Sequence, residues 1–256
     1  MAKKRLIFVL LYLDGQFCIS RNFRLQKIGN TGWLSKNYNF SRVSRFIDEL
    51  VILNVGQVAE GHAGFLDAAA KIAGEVFVPV ALGGAIRTPE DAARYFDMGA
   101  DKVVVNTLLW QSPGTVRKIA DTYGVQAVVA SVDYRLREGV RVPFLRGENP
   151  PQPNTLSDYL EHVSALGVGE VLLNSVDQDG TGFGLDLGVA DAVPQGLTMP
   201  LVMMGGIGRT DHFLPGFRLD RVSGVATANL FAFIGDGLAS SRHALLDAGM
   251  GMAAWD

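Results

Sequence analysis

The chain has 256 residues, of which 48% are hydrophobic and 30 are glycine, and its formal net charge is −3. A chain of this length and apolar content buries a large core, whereas its nearly balanced, scattered charges exclude an extended basic surface for nucleic acid. Cys18 is the only cysteine, so the chain forms no internal disulfide, and we expect a reducing, cytoplasmic location.

The N-terminal stretch MAKKRLIFVLLYLDG places basic residues before the apolar run 6–13. A secretory signal peptide begins in the same way, but Asp14, Gly15 and Gln16 stand where the small residues of a cleavage site would follow. We therefore interpret the run as a buried first strand. No segment reaches the roughly 20 apolar residues of a membrane-spanning helix, so no membrane partner is expected.

Short apolar runs alternate with segments of helical period along the chain. The predicted strands are residues 6–12, 50–55, 76–82, 102–106, 127–132, 170–174, 200–204 and 222–226. The predicted helices are residues 89–98, 113–123, 156–166 and 185–192, the first with Thr88 as N-cap. Apolar strands without alternation indicate a parallel sheet covered on both faces. The pattern favours a single (β/α)8 barrel spanning residues 1–256 as one domain, with a doubly wound open sheet as the alternative.

Two connections are longer than the others. Residues 21–39 follow the first strand, and residues 138–154, EGVRVPFLRGENPPQPN, follow the fifth. Both connections follow the carboxyl ends of predicted strands, which is where a barrel builds its active site.

One phrase occurs twice in the chain. VPVALGGAIRTPEDA (78–92) is followed by Asn106-Thr107, and MPLVMMGGIGRTDHF (199–213) is followed by Ala228-Asn229. DELVILNV and GEVLLNSV pair the two halves in the same way. Glycines at strand ends let backbone N–H groups approach an anion, so the repeat predicts a doubled half-barrel with two phosphate sites. The alternative is that the glycine pairs only turn tight corners.

Metal and cofactor sites are not expected. His62, His162, His212 and His243 show no metal-ligand spacing, and there is one cysteine. DQDGTGFGLD (177–186) is similar to a calcium loop but lacks its terminal glutamate. Within it, Asp179 and Thr181 either contact a substrate or cap a turn.

Charged residues begin four of the predicted strands: Arg5, Glu49, Lys102 and Glu170. Charges at strand ends are ordinarily solvated. Two cations and two anions around one narrow ring could also pair with each other.

The motifs FVPVALGGAIRTPEDA, GADKVVVNT, YGVQAVVASVDYR, GVGEVLLNSVDQDGTGFGLDL and MMGGIGRTDHF together resemble the cyclase subunit of imidazole glycerol phosphate synthase over almost the whole chain. The resemblance implies a half-barrel-repeat (β/α)8 protein of histidine biosynthesis. In that family a glutaminase partner makes ammonia, which passes through the barrel and reacts with a bisphosphorylated ribulosyl substrate at its top.

The resemblance also implies roles for individual residues. Asp133 would be a catalytic acid or base at the end of the fifth strand. The phosphate-binding residues would be Gly84, Asn106, Thr107, Gly180, Gly206, Ala228 and Asn229. The ammonia gate at the barrel bottom, where the glutaminase docks, would be Arg5, Glu49, Lys102 and Glu170.

The chain departs from the family pattern at the catalytic end. Leu11 stands where the resemblance places a second catalytic aspartate, and Ile19 stands in place of a loop lysine. Asn54 replaces an acidic residue, and Ala85 replaces a third glycine. A leucine cannot transfer a proton, so ordinary cyclisation is not expected.

A paralogous branch of the family, encoded with surface-polysaccharide genes, shares the leucine and an F-x-F stretch, here Phe231-Ala232-Phe233. The resemblance to this branch implies delivery of ammonia to a phosphorylated sugar or nucleotide sugar, with an ATP-dependent amidotransferase as a further partner. Two alternatives stay open. One is a genuine histidine-pathway lyase that manages with Asp133 or recruits Asp14. The other is a non-catalytic scaffold that activates the glutaminase.

Overall fold

The computed structural model describes residues 3–56, 62–145 and 155–253. The strands of these residues are β1 (Arg5–Leu13), β2 (Gln16–Arg21), β3 (Arg24–Gly29), β4 (Glu49–Asn54), β5 (Val80–Gly83), β6 (Lys102–Val105), β7 (Val128–Arg137), β8 (Val140–Pro143), β9 (Glu170–Ser175), β10 (Leu201–Met204) and β11 (Val222–Thr227). The α-helices are α1 (Thr31–Asn37), α2 (Phe40–Val43), α3 (His62–Ala73), α4 (Pro89–Asp97), α5 (Leu108–Gln111), α6 (Pro113–Tyr123), α7 (Leu156–Ser164), α8 (Phe213–Phe217) and α9 (Gly237–Asp247).

Parallel strands close into a barrel in the order β1, β4, β5, β6, β7, β9, β10 and β11. The ring is completed where β11 pairs with β1, from Arg5 opposite Gly224 to Phe8 opposite Thr227. An open sheet would leave its two outer strands unpaired. The predicted (β/α)8 barrel is therefore confirmed, and the doubly wound alternative is wrong.

The other strands extend two barrel strands past the carboxyl end of the barrel. β2 and β3 form an antiparallel hairpin that continues β1, and β8 folds back on β7. The reversals are two-residue turns in which both residues have positive φ, at Asp14-Gly15, Asn22-Phe23 and Glu138-Gly139. Such turns match the twist of the flanking strands, so each strand pairs at once with the one before it.

Several predicted boundaries are wrong. The connection 21–39 contains β3 and α1, and the connection 138–154 contains β8, elements that the sequence did not predict. Residues 146–154 of the second connection lie outside the described residues. The strand predicted from residue 76 begins at Val80, because Pro79 has no N–H to pair. The helix predicted at 185–192 is a 3-10 segment, Leu187–Ala192, in which Gly188 and Val189 are weak helix formers.

The side chains of the barrel strands alternate between two cores. Ile7, Val9 and Leu11 of β1 point into the barrel, together with apolar residues from the other barrel strands. The intervening residues, such as Phe8 and Leu10, pack outward against the helices. The middle of the bore is consequently lined mainly by apolar side chains, with Ser131, opposite Leu172 of the interior cluster, as a polar exception. Among the described residues, no helix combines the length and apolar character needed to cross a bilayer.

Candidate active site

The two halves of the barrel share one strand register, which identifies equivalent positions. Leu50 of β4 lies opposite Phe8 of β1, and Val171 of β9 lies opposite Ala130 of β7. The neighbouring strands follow the same offset, with β11 on β1 and β6 on β7. Counting toward the carboxyl ends gives four equivalent pairs: Leu11 and Asp133, Leu13 and Arg135, Leu53 and Asn174, and Ala228 and Asn106.

Asp133 lies at the barrel mouth between two asparagines. Its Oδ1 accepts a hydrogen bond from Nδ2 of Asn174 at 2.8 Å, and its Oδ2 accepts one from Nδ2 of Asn106 at 2.8 Å. Burial raises the pKa of Asp133 to about 6, against the two hydrogen bonds that favour the ionised form; the charge of Asp179 adds to the increase. Asp133 therefore exchanges a proton near neutral pH, as an acid or base requires.

The equivalent place in the first half is apolar. Leu11 is 6% exposed and packs with Cys18 of the hairpin inside the barrel, while Leu13, Leu53 and Ala228 pack against the same cluster. The equivalents of Asp133, Asn174 and Asn106 are thus the apolar residues Leu11, Leu53 and Ala228, which offer no carboxylate and no amide. Asp14 does not fill the gap, because its side chain is 61% exposed and pairs with Lys27 at 3.2 Å.

The β2–β3 hairpin is tied to the opposite side of the mouth through Asp179. Oδ2 of Asp179 accepts hydrogen bonds from the Ser20 hydroxyl at 2.6 Å and from the Phe23 N–H at 2.9 Å. Its backbone oxygen accepts from the Asn22 N–H. Phe23 has φ of +59°, a conformation that a bulky side chain rarely adopts without such support. Asp179 is thus occupied by the hairpin in this structure.

Gly180 and Thr181 complete the same tie. At Gly180, with φ of +67°, a Cβ would lie 2.3 Å from the Ser20 carbonyl oxygen, so only glycine lets the hairpin approach this closely. The Thr181 hydroxyl donates to the Gln178 carbonyl at 2.9 Å and shapes the turn. Substrate binding by these residues stays a prediction.

The remaining aspartates of the calcium-like stretch hold the second hairpin. Asp177 accepts from the Leu136 N–H at 2.7 Å, and Asp186 forms a two-pronged ion pair with Arg141. All three carboxylates thus serve internal contacts. Within the described ranges, no group of three or more His, Cys, Asp or Glu residues is placed to hold a metal.

The glycine corners of the two halves have similar backbone conformations, but their glycine pairs are offset by one residue in the strand register. The register makes Gly84 equivalent to Gly205 and Ala85 equivalent to Gly206. The four φ values are +92° and +55° in the first half and +105° and +92° in the second. A Cβ on Gly84 would lie 1.9 Å from the Asn54 carbonyl oxygen. Ala85 therefore occupies a left-handed position that the other half fills with glycine.

Most of the other residues predicted to bind phosphate make contacts within the protein. Asn106 donates to Asp133, whereas Thr107 is exposed at the start of the short helix α5. Asn229 accepts from the Ala232 N–H at 3.1 Å, and Ala228 packs on the interior cluster. Phosphate binding at both corners remains a prediction.

The four charges at the opposite end of the barrel form a closed ring. Arg5 pairs with Glu49 at 2.6 Å and also with Glu170. Lys102 pairs with the same two carboxylates, at 2.9 Å and 3.3 Å. Burial by itself would lower the pKa of Arg5, but the hydrogen bond and charge of Glu170, with those of Glu49, raise it. The ring closes the floor of the apolar bore.

A model of the histidine biosynthesis protein family matches residues 36–235. The chain belongs to the histidine biosynthesis protein family.

Relatives in this family match nearly the full length of the chain. A protein of Parasynechococcus marenigrum (strain WH8102), with the provisional name imidazole glycerol phosphate synthase subunit hisF2, is 42% identical over 243 residues, 95% of this chain and 90% of its own. Imidazole glycerol phosphate synthase subunit HisF of Streptococcus sanguinis (strain SK36) is 33% identical over 252 residues, 98% of both chains. The corresponding subunit of Pyrococcus furiosus is 32% identical over 234 residues, 91% of both. The resemblance is confirmed at the level of this synthase subunit.

Sequence reasoning about this family member missed several residues of the site. Asn174 and the Asp179 tie were not identified, and neither was Ser223, whose hydroxyl accepts from Arg5 at 3.0 Å beside the charge ring. The dipeptides Asp14-Gly15 and Glu138-Gly139 were a usable signal for the two hairpins. No local pattern marks the contacts of Asp179, because its partners lie far away in sequence.

Proposed function

We propose that the protein is the ammonia-delivering barrel of a glutamine-dependent amidotransferase complex. It receives ammonia from a glutaminase and supplies it to a phosphorylated sugar or nucleotide sugar in surface-polysaccharide biosynthesis in the cytoplasm. One observation carries this proposal: the charge ring at the floor is complete, whereas the mouth has a carboxylate in only one of its two equivalent places. The floor thus keeps the residues of an ammonia entrance, whereas the mouth lacks one of the two carboxylates.

The chemistry of the mouth supports one-sided proton transfer. Asp133, with a pKa of about 6, can give or take a proton on the second-half side of a bound substrate. On the first-half side the substrate meets Leu11 and its apolar neighbours. A cyclisation that needs an acid and a base on opposite sides has no second group here. An addition of ammonia that takes place beyond this mouth needs no acid or base at the position of Leu11.

The bore supports passage of neutral ammonia. Between the ring and the level of Leu11 and Asp133, its lining is apolar except for Ser131, and an ammonium ion would lose its hydration there without a charged partner. Neutral ammonia carries no such penalty. Movement of Arg5 or Lys102 away from its carboxylates would open the floor.

Exposed apolar side chains support partners at both ends. Phe77, which is 87% exposed, and Val125 precede β5 and β7 and so lie at the floor, where we place the glutaminase. Phe183, Phe231 and Ile234 follow β9 and β11 and surround the mouth. We place an ATP-dependent, ammonia-consuming amidotransferase at that end. Exposed apolar residues of this kind commonly mark protein interfaces.

The decisive experiment is an ammonia-driven assay of the purified protein with the bisphosphorylated substrate of imidazole glycerol phosphate synthase. Ammonium salt removes the need for a glutaminase, so only the mouth is tested. Wild type, Leu11→Asp and the size-matched neutral variant Leu11→Asn are compared, and binding of a phosphate ligand is measured in parallel by thermal shift.

We expect no turnover by the wild type together with retained phosphate-ligand binding. Wild-type turnover within about 100-fold of a working cyclase would overturn the proposal in favour of a histidine-pathway lyase, since one acid or base contributes about that factor or more. Absence of both turnover and phosphate-ligand binding would instead favour the scaffold that only activates the glutaminase.

A further inference from the structure

Arg135 stands directly above Asp133 at the barrel mouth. Along β7, Val129 belongs to the interior cluster, and the outward residues Val132 and Tyr134 belong to the outer core. Because side chains alternate along a strand, Asp133 and Arg135 occupy successive inward positions, about 7 Å apart along the strand. A group bound by Arg135 would therefore lie within a few bonds of an atom that reaches Asp133.

The guanidinium of Arg135 is held by an aromatic contact. Its Cζ lies 4.2 Å from the ring centroid of Phe144, which follows β8. That ring in turn meets Phe23, at the tip of the β2–β3 hairpin, edge to face with centroids 5.5 Å apart. Arg135 is thereby fixed at the seam between the two hairpins that cover the mouth, and less freedom is lost when it binds a ligand.

The hydrogen-bonding capacity of Arg135 is not used within the described part of the chain. Its Nε is buried and has no hydrogen-bond partner there. A guanidinium has five N–H donors and is always charged, and buried donors of this kind are almost always satisfied. A bound ligand is one source of the acceptor that this buried donor lacks.

The register adds an independent reason. Leu13 occupies the position in the first half that Arg135 occupies in the second, just as Leu11 is equivalent to Asp133. Leu13 packs against the apolar cluster. A cation at this level is therefore no requirement of the barrel architecture, since the equivalent strand end folds with a leucine.

We propose that Arg135 is an anion-binding residue of the mouth, which holds a phosphate or diphosphate oxygen of the substrate above Asp133. This inference rests on the proposed function, because it takes the phosphorylated substrate to lie in this mouth. A planar guanidinium suits such a group, since two parallel N–H donors can bind two oxygens of one phosphorus.

Inorganic pyrophosphate is the probe, titrated calorimetrically into the wild type, Arg135→Met, Arg135→Lys and Arg117→Met at fixed ionic strength. Arg117 lies on α6 and reaches the Ala165 carbonyl, away from the mouth, so its removal controls for net charge. We expect Arg135→Met to weaken binding about tenfold or more, because a charge-assisted contact is lost. Arg135→Lys should be intermediate, since it keeps the charge without the fork.

Binding by Arg135→Met equal to that of the wild type would overturn this inference and leave the proposed function intact. No binding by the wild type would overturn both. Equal weakening in Arg117→Met would assign the effect to net charge and also overturn the inference. Should Arg135→Met unfold, the NMR signal of Arg135 Nε–Hε in the wild type decides: a shift on addition of pyrophosphate supports the contact, and an unchanged signal contradicts it.

Discussion

The two halves of the barrel mouth have the same backbone and opposite chemistry. On the second-half side, Asp133 lies between the amides of Asn174, from the same half, and Asn106, from the end of β6 in the first half, with Arg135 above it. The equivalent positions are Leu11, Leu53 and Leu13 of the first half and Ala228 at the end of the second half. The floor is different, because Glu49 and Glu170 are equivalent and each half contributes one carboxylate to the ring. A repeated fold can therefore lose the chemistry of one half at the mouth while keeping a shared structure at the floor.

The largest effect is expected when a polar group is introduced at the apolar position Leu11. Leu11→Asp places a carboxylate among apolar neighbours that have no donors for it. We expect a loss of about 4 kcal/mol in the free energy of unfolding at pH 8, and a smaller loss at pH 5, where the buried acid is protonated. Urea denaturation at the two pH values measures this.

Two variants control that prediction. Leu11→Asn should cost stability equally at both pH values, because it has no charge. Adding Leu53→Asn and Ala228→Asn to Leu11→Asp should restore part of the stability, since these positions are equivalent to Asn174 and Asn106, the two donors to Asp133. A Leu11→Asp variant as stable at pH 8 as the wild type would show that the first half is not a dry, donor-free site.

The converse test removes the carboxyl group of Asp133. The folded-state pKa of Asp133 is about 6 and lies above the ordinary 3.8, so the native state binds this proton more tightly than the unfolded chain does. The resulting stability is present below pH 4 and is lost as the pH rises through about 6. It amounts to about 3 kcal/mol, at 1.36 kcal/mol for each of about two pKa units.

Asp133→Asn does not undergo this loss. We expect its stability relative to the wild type to rise by up to about 3 kcal/mol between pH 4 and pH 8, followed by urea denaturation across that range. Parallel stability profiles for the two proteins would contradict the raised pKa of the Asp133 carboxyl.

The floor offers a symmetric test. Glu49→Gln and Glu170→Gln each leave Arg5 and Lys102 with a single carboxylate. We expect each change to cost about 2 kcal/mol, less than a fully buried pair because both cations keep some exposure. Thermal or urea unfolding should give similar values for the two variants. A cost confined to one glutamate would show that the two carboxylates do not contribute equally to the ring, whose two cations both come from the first half.

The smallest effect is expected at the glycine corner. Ala85→Gly removes a left-handed alanine at φ of +55° and should stabilise the protein by about 1 kcal/mol. The opposite change in the other half, Gly206→Ala, should destabilise it by more, because the new Cβ would lie 2.0 Å from the Gly184 carbonyl oxygen. Equal, negligible effects in unfolding experiments would mean that these corners relax freely.

Most of the fold followed from local pattern alone. Apolar runs of strand length, Thr88 before a helix and the duplicated glycine phrase were enough to predict a doubled barrel, because each depends on neighbours in sequence. The four ring charges were also chosen from their place at strand starts. Their pairing was left open beside ordinary solvation, since a strand end does not reveal its partners across the barrel.

Only the tertiary structure decided the contacts between distant residues and the register of the two halves. Asp179 meets Ser20, Asn174 meets Asp133, and the Gly84 corner matches Gly205 rather than Gly206. Such relations depend on how the strands pair and twist, and a one-residue shift in that pairing leaves the sequence pattern almost unchanged. The sequence thus determined which architecture forms and which residue types stand at strand ends; barrel closure decided which side chains meet.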